Sequence, residues 1–213
     1  MPFNPKFSYF LYSNTTPIDQ SHAVWPQPLP MTRYFSGEKG GISISHGDYF
    51  LALRRFIEND DVDLICRALQ VRLDKKVKPA DIREIRICLA KHGEFYHPAL
   101  LEVSVGQQSA GFVLNVAVSD NGIQTLHEEY QTLKRLNDEF TPSFIPRVYG
   151  FGEIETSGHR KIPLFLGDWL EGSHEFHMSG DPAGDAPNIR VWDGDPNRTL
   201  LSTDKQADIY RLA

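Results

Sequence analysis

The sequence has few cysteines, no long apolar run and no surplus of basic residues, and each absence excludes a class of protein. Its 213 residues contain two cysteines, Cys66 and Cys88, and no Cys-x-x-Cys pair, which argues against a disulfide scaffold or a thiolate zinc site. No run of 18 apolar residues occurs, so we expect no membrane-spanning helix and no membrane partner. Reduced thiols, together with an N-terminus that does not read as a signal peptide, predict a cytoplasmic protein.

Acidic residues outnumber basic ones by 28 to 22, which gives a formal net charge of -6. Proteins that bind duplex nucleic acid usually carry a basic surplus, because neutralisation of phosphates supplies much of their affinity. We therefore expect no nucleic-acid partner. The apolar fraction of 40% is ordinary for a globular domain and is enough to build a hydrophobic core.

Residues 1–45 are rich in proline and aromatic side chains. Prolines discourage regular structure there, among them Pro17, Pro26, Pro28 and Pro30. The aromatic side chains are too numerous for a solvated tail: Phe7, Tyr9, Phe10, Tyr12, Trp25 and Tyr34. We predict an extended arm that packs on this domain or on a second copy, and hence a route to a protein partner or a homo-oligomer.

Residues 46–78 are predicted to be a helical segment. Apolar residues recur at a helical spacing on both sides of Asn59-Asp60-Asp61, which predicts two helices separated by that break. Asp48 is expected to cap the first helix, beginning at Tyr49.

Beyond residue 79 the apolar period changes to two. Alternating β-forming residues predict strands over 85–89, 101–105 and 112–118. The first of these is open to a second interpretation, because 79–92 also fits a helix closed by Gly93.

An amphipathic helix is predicted over 123–139, followed by two further strands over 148–152 and 163–170. Together these elements predict an α+β fold, in which five strands and one helix follow the helical N-terminal segment. This sheet domain is assigned to 79–175.

The last part of the chain, 176–213, is predicted to hold a loop, a short hairpin near 189–194 and the start of a helix. The loop prediction extends back to 172. Thr203 and Gln206 have the spacing of a capping box. The sequence ends at Ala213, barely two turns later, and we expect the natural protein to continue.

Three segments within 85–175 resemble the small lobe of the protein-kinase-like superfamily, in particular aminoglycoside phosphotransferases and lipopolysaccharide-kinase-like proteins. Residues 112–118 followed by Leu126-His127-Glu128-Glu129-Tyr130 are similar to the lysine strand and the next helix of that family. Residues 145–152 are similar to its fourth strand, and residues 164–172 to its hinge. The resemblance implies an antiparallel five-stranded sheet with the 123–139 helix against one face.

This resemblance also implies ATP and Mg²⁺ as ligands. The adenine edge would meet the backbone of the hinge at Asp168, Trp169 and Leu170. The position of the phosphate-binding lysine holds Asn115, which is neutral and cannot supply a positive charge. Glu129, or Glu128 one residue before it, stands where the family has the glutamate that orients the lysine. Without that lysine, two alternatives are open: the glutamate pairs elsewhere, or it faces solvent.

Between its first two strands the family has a Gly-rich loop that covers the phosphates. Here the loop contains one glycine, Gly93. Lys91, His92 and His97 are candidates for phosphate contact, and the alternative is a turn anchored by Tyr96 and Pro98.

Three functions remain open at this point. In the first, the chain is a nucleotide-binding small lobe of a kinase-like phosphotransferase, inactive alone because the catalytic lobe would follow Ala213. Alternatively it is a pseudokinase-type regulatory or protein-binding module, which Asn115 and the single-glycine loop favour. The third alternative is an unrelated α+β domain. No catalytic residue and no metal ligand is assigned.

Overall fold

The computed structural model describes most of the first 169 residues and two short strands beyond them. The described ranges are 3–11, 15–29, 44–59, 62–90, 95–140, 145–169 and, for the backbone, 175–179 and 188–192. The chain divides into two compact units, Met1–Trp169 and Leu170–Ala213.

The first unit is a mixed α+β domain. Its described strands are β1 (Lys6–Leu11), β2 (Ile82–Leu89), β3 (Ala99–Val105), β4 (Gln108–Val116), β5 (Val148–Glu155) and β6 (Lys161–Asp168). Its described α-helices are α1 (His46–Asn59), α2 (Val62–Leu73) and α3 (Asp120–Glu139), and a 3-10 turn covers Pro79–Asp81. None of the described helices combines the length and the apolar character needed to cross a membrane.

The strands form one sheet in the order β1-β2-β3-β4-β6-β5. All neighbours from β2 to β5 in this order are antiparallel. The predicted α+β class is confirmed. The alternative of a helix over 79–92 is wrong, because β2 alternates buried and partly exposed side chains along most of its length, as a strand with one face in the core does.

The predicted count of five antiparallel strands needs a correction, because the N-terminal arm supplies a sixth. β1 pairs in parallel with β2, from Lys6 opposite Glu84 to Leu11 opposite Leu89. Phe10 and Leu11 become buried in this position. The sheet gains the strand because Leu11 joins the hydrophobic core and Phe10 packs on the other face under Arg86. The sheet is therefore mixed rather than purely antiparallel.

Helices α1 and α2 pack on one face of the sheet. Phe50, Leu53 and Leu69 belong to the same buried cluster as alternate residues of the strands. Two glycines of β5 allow a close approach: a Cβ on Gly150 would lie 2.7 Å from Leu64 Cδ1, and a Cβ on Gly152 would lie 2.6 Å from Phe56 Cε2. This face is therefore closed by direct helix-to-strand packing.

Helix α3 packs on the opposite face, against β5 and β6. Leu126 forms a small buried cluster with Ala117 and Phe165. Along β6, Phe165 alternates with residues that belong to the larger core under α1 and α2. The helix begins at Asp120, three residues before the predicted 123–139, because Ser119 caps it: the Oγ of Ser119 accepts a hydrogen bond from Gly122 N at 2.9 Å.

The cap of α1 differs from the prediction in the same way. Ser45 Oγ accepts a hydrogen bond from Asp48 N at 3.0 Å, so Ser45 caps the helix and α1 begins at His46. The Asp48 carboxylate instead accepts from Ser157 N, with Oδ1 at 3.0 Å. Asp48 thereby fastens α1 to the β5–β6 turn.

In the second unit the described strands are β7 (Glu175–Ser179) and β8 (Asn188–Trp192), which form an antiparallel pair. The loop predicted over 172–188 is wrong for the residues of β7, whose alternating polar and apolar residues favour a strand. The helix predicted after Thr203 lies outside the described residues.

Candidate functional site

The α3 side of the sheet carries partly exposed apolar side chains on β2, β3 and β4. Cys88 is opposite Leu100, Leu100 is opposite Val113, and Val113 is opposite Gly167. Cys88, Leu100 and Val113 are all partly exposed. We call these four residues the apolar row, and it ends beside the predicted hinge.

Asn115 lies beside the apolar row, two positions along β4 from Val113 and directly opposite Phe165. Directly opposed residues share a face of a sheet, and Phe165 packs against α3. Asn115 and the row are therefore on the α3 side. The residue is partly exposed and carries no charge, so this point of the face can donate or accept hydrogen bonds but adds no positive potential.

Glu129 of α3 is bound to Tyr96, at the end of the loop that leads into β3. The Glu129 Oε2 accepts a hydrogen bond from Tyr96 OH at 2.7 Å. Burial, and next the bond to this carboxylate, raise the pKa of Tyr96 well above its ordinary value. The hydroxyl stays a neutral donor, and of the two alternatives for Glu129 this bond favours pairing elsewhere over a solvent-facing acid.

Sequence reasoning missed that Tyr96 is the partner. The two residues are 33 positions apart, and periodicity carries no information about contacts at that separation. The nearest signal in the sequence was the alternative interpretation of this loop, a turn anchored by Tyr96.

At the hinge, Asp168 is engaged within the protein. Its side chain is 7% exposed. Its Oδ1 accepts from Tyr149 OH at 2.5 Å and its Oδ2 accepts from Arg147 N at 3.1 Å, while Arg72 Nε lies 3.7 Å from Oδ1. The backbone N of Asp168 donates to Arg147 O at 2.9 Å.

The N–H of Asp168 therefore joins β6 to the residue that precedes β5, and an adenine contact of Asp168 itself stays a prediction for its carbonyl. The same contact stays a prediction for Trp169, which is partly exposed, and for Leu170, which lies outside the described residues.

His97 is buried on the α1 side of the sheet, opposite to the apolar row. It is 0% exposed, and its ring centroid is 5.4 Å from that of Tyr49 in α1. Tyr49 OH also donates to His97 O at 2.5 Å. This position does not support the predicted phosphate contact. Lys91, His92 and Gly93 lie outside the described residues.

On β2 and β3 the charged neighbours of the apolar row, Arg86 and Glu102, neutralise each other. Arg86 Nη1 and Glu102 Oε2 form an ion pair at 2.9 Å, and the Arg86 guanidinium lies 4.5 Å above the ring centroid of Phe10. Burial raises the pKa of Cys88, so its thiol is neutral at physiological pH. This surface suits a flat, uncharged aromatic group better than an isolated anion.

No group of three Asp, Glu, His or Cys side chains is placed to hold a metal ion among the residues that the structure describes. Binding of Mg²⁺ stays a prediction from the resemblance.

Comparison of the chain with protein-family models, with curated proteins and with solved structures finds no match. A function therefore has to be inferred from what the residues of this chain can bind.

Proposed function

We propose that residues 79–169 form a nucleotide-binding lobe of kinase-like shape, in which the adenine ring of ATP lies on the apolar row. The observation that carries the proposal is the row itself, with Asn115 beside it, α3 on the same side and the hinge at its end. The succession of five antiparallel strands, with α3 between the third and the fourth of them, supports the same assignment.

The chemistry of the row suits adenine. Covering about 100 Å² of apolar surface contributes about 2.5 kcal/mol. A planar ring needs a flat floor, and the partly exposed side chains of Cys88, Leu100 and Val113 would supply it. Backbone groups at the hinge would then supply the hydrogen bonds that orient the ring edge.

The lobe is proposed to bind nucleotide without transferring phosphate by itself. Phosphoryl transfer depends on positive charge held against the phosphates. Asn115 offers none, and Glu129 is bound to Tyr96. These two features also favour the second candidate, a pseudokinase-type regulatory module, in which the bound nucleotide or the fold alone would present a surface to another protein.

A thermal-shift experiment with ATP and Mg²⁺ tests nucleotide binding. At ten times the dissociation constant, a ligand that binds the native state stabilises it by about 1.4 kcal/mol, or roughly 3–6 °C in a domain of this size. Leu100→Trp would fill the row and remove the shift. Ser104→Trp is the matched control, because Ser104 lies on the same strand and the same face but outside the row.

Each outcome discriminates. No shift in the wild-type protein at millimolar ATP would exclude the nucleotide-binding lobe and leave the regulatory module without nucleotide. A shift that persists in Leu100→Trp would place the nucleotide elsewhere on the protein.

A further inference from the structure

Strand β5 forms one edge of the sheet, and an open cleft of about 660 Å³ lies along it. Its walls include Ala52, Arg55 and Phe56 from α1 and Gly152, Glu153 and Ile154 from β5. The opposite edge differs, because Ile18 N donates to Tyr9 O on the outer side of β1 at 2.8 Å. Within the described residues, no strand pairs with the outer side of β5.

The backbone groups of β5 that face outward follow from the ladder. Thr156 N donates to Arg160 O at 3.0 Å, so Thr156, and every second residue before it, points its backbone toward β6. Phe151, Glu153 and Glu155 therefore point their N–H and C=O groups outward. The bond from Arg55 Nη2 to Glu155 O, at 2.9 Å, is made on that side.

Side chains close this outer edge at both ends. Val148 N donates to Asn137 Oδ1 at 2.8 Å, and Arg55 binds the carbonyl of Glu155. In the part of the chain that the structure describes, no hydrogen bond engages the outward groups of Phe151 and Glu153 between these two caps. We call these two residues the open window.

The two sides of the open window differ chemically. The carboxylates of Glu153 and Glu155 lie on the α3 side, and their side chains are 51% and 52% exposed. Lys161 and His159 approach them from the β6 side at 3.7 and 2.8 Å. On the α1 side the floor is apolar, formed by Ala52, Phe56 and Gly152.

We propose that the open window binds an extended segment of another protein, which adds to the sheet as a further strand. Residues of the segment alternate, with apolar side chains toward Ala52 and Phe56 and basic side chains toward Glu153 and Glu155. Backbone hydrogen bonds provide affinity and the alternating side chains provide specificity. A strand rises about 3.3 Å per residue, so about six residues span the distance between the caps.

A fluorescein-labelled hexapeptide of alternating valine and lysine is the probe, and fluorescence anisotropy is the measurement. Saturable binding is expected, with a dissociation constant below about 1 mM. Glu153→Pro should weaken binding at least tenfold. Position 153 lies opposite Pro163 in a pair without hydrogen bonds, so the substitution removes an outward N–H and spares the ladder.

Two further variants separate the contribution of side-chain charge to peptide binding from that of the backbone N–H. Glu153→Ala keeps the N–H and should weaken binding about threefold. Glu139→Ala removes an exposed acid from the end of α3 and should leave binding unchanged. If Glu153→Pro does not fold, the hexapeptide with alternate backbone nitrogens methylated makes the same test on the wild-type protein.

The proposal is overturned if no peptide binds at millimolar concentration, if the methylated peptide binds as tightly as the first, or if hexalysine does. Self-association of the chain that Glu153→Pro abolishes would assign the window to a second copy and would also overturn a foreign partner. The window is distinct from the apolar row, so failure of nucleotide binding leaves this inference standing.

Discussion

The two faces of the six-stranded sheet contrast in how they are covered. On one face, which we call the closed face, α1 and α2 cover the strands. The ring centroid of Phe50 lies 5.0 Å from that of Tyr9 and 5.8 Å from that of Trp25. On the other face α3 covers β5 and β6, and the side chains of β2 to β4 stay partly exposed. The same strands thus build the core with one set of residues and offer a surface with the other.

The sequence of β4 shows how the two faces come to differ. Its alternate residues Phe112, Leu114 and Val116 are large and buried. Those between them, Gly111, Val113 and Asn115, are smaller or polar and partly exposed. Period-two alternation therefore separates the residues that stabilise the fold from those that are free to bind a ligand.

The largest expected effect is on the closed face. Phe50→Ala removes a ring that is fully buried between Tyr9 and Trp25, and should lower the free energy of unfolding by about 3–5 kcal/mol. Urea denaturation followed by tryptophan fluorescence measures the loss. Phe140→Ala is the control, because Phe140 is 55% exposed and its loss should cost less than about 0.5 kcal/mol. Similar losses for the two variants would contradict the description of the closed face.

The hinge should show the next largest effect. Asp168→Asn weakens the hydrogen bonds from Tyr149 OH and Arg147 N and removes the charge that faces Arg72. We expect a loss of about 2–3 kcal/mol, measured by the same denaturation. Glu102→Gln removes a carboxylate from the exposed pair with Arg86 and should cost below about 1 kcal/mol. An equal loss in both would mean that Asp168 does not hold the hinge.

Much of this arrangement could be predicted from the sequence. Alternation indicated the strands that carry Val113 and Phe165, and the amphipathic stripe indicated α3, because each signal is local. β1 could not be found in this way. Its pairing joins Lys6 to Glu84, and its sequence, Lys-Phe-Ser-Tyr-Phe-Leu, lies among prolines and polar residues that favour irregular structure.

The candidate site was predicted unevenly for the same reason. Asn115 and Glu129 were placed correctly on their elements, since position along a strand or helix fixes the face. The partners of Glu129 and His97 come from chain segments 33 and 48 residues away, and burial of His97 against Tyr49 depends on how α1 packs. The caps of the open window likewise join residues that no local pattern relates.

A smaller effect is expected on the face that α3 covers only in part. Under the proposed function, Asn115→Lys adds the missing charge, and Tyr96→Phe frees Glu129 to hold it. Together they should raise ATP affinity about tenfold, or about 1.4 kcal/mol, because the lysine then gains both phosphate and carboxylate partners. Asn115→Lys alone should give about threefold, and Tyr96→Phe alone should leave affinity unchanged. Isothermal titration with ATP and Mg²⁺ measures all three, and strictly additive effects would contradict coupling between these residues.

The smallest expected effect is on the alkylation rates of the two cysteines, Cys66 in the core and Cys88 on the apolar row. Burial, and next the carboxylates of Asp63 and Asp81, raise the pKa of Cys66 to about 11, so about one thiol in a thousand is ionised at pH 8. Its alkylation should accelerate as pH rises toward that value. Cys88 is partly exposed on the apolar row and should react faster at pH 8.

Nucleotide should then protect Cys88 in a Cys66→Ala background. If ATP covers the row, ATP at twice its dissociation constant should slow the alkylation of Cys88 by iodoacetamide about threefold, because two thirds of the protein is occupied. Ser104→Cys, in a background without the natural cysteines, reports the same face outside the row, and its rate should not change. Equal protection at both positions would show that ATP acts on the whole domain rather than at the row, and unprotected Cys88 would place the nucleotide elsewhere.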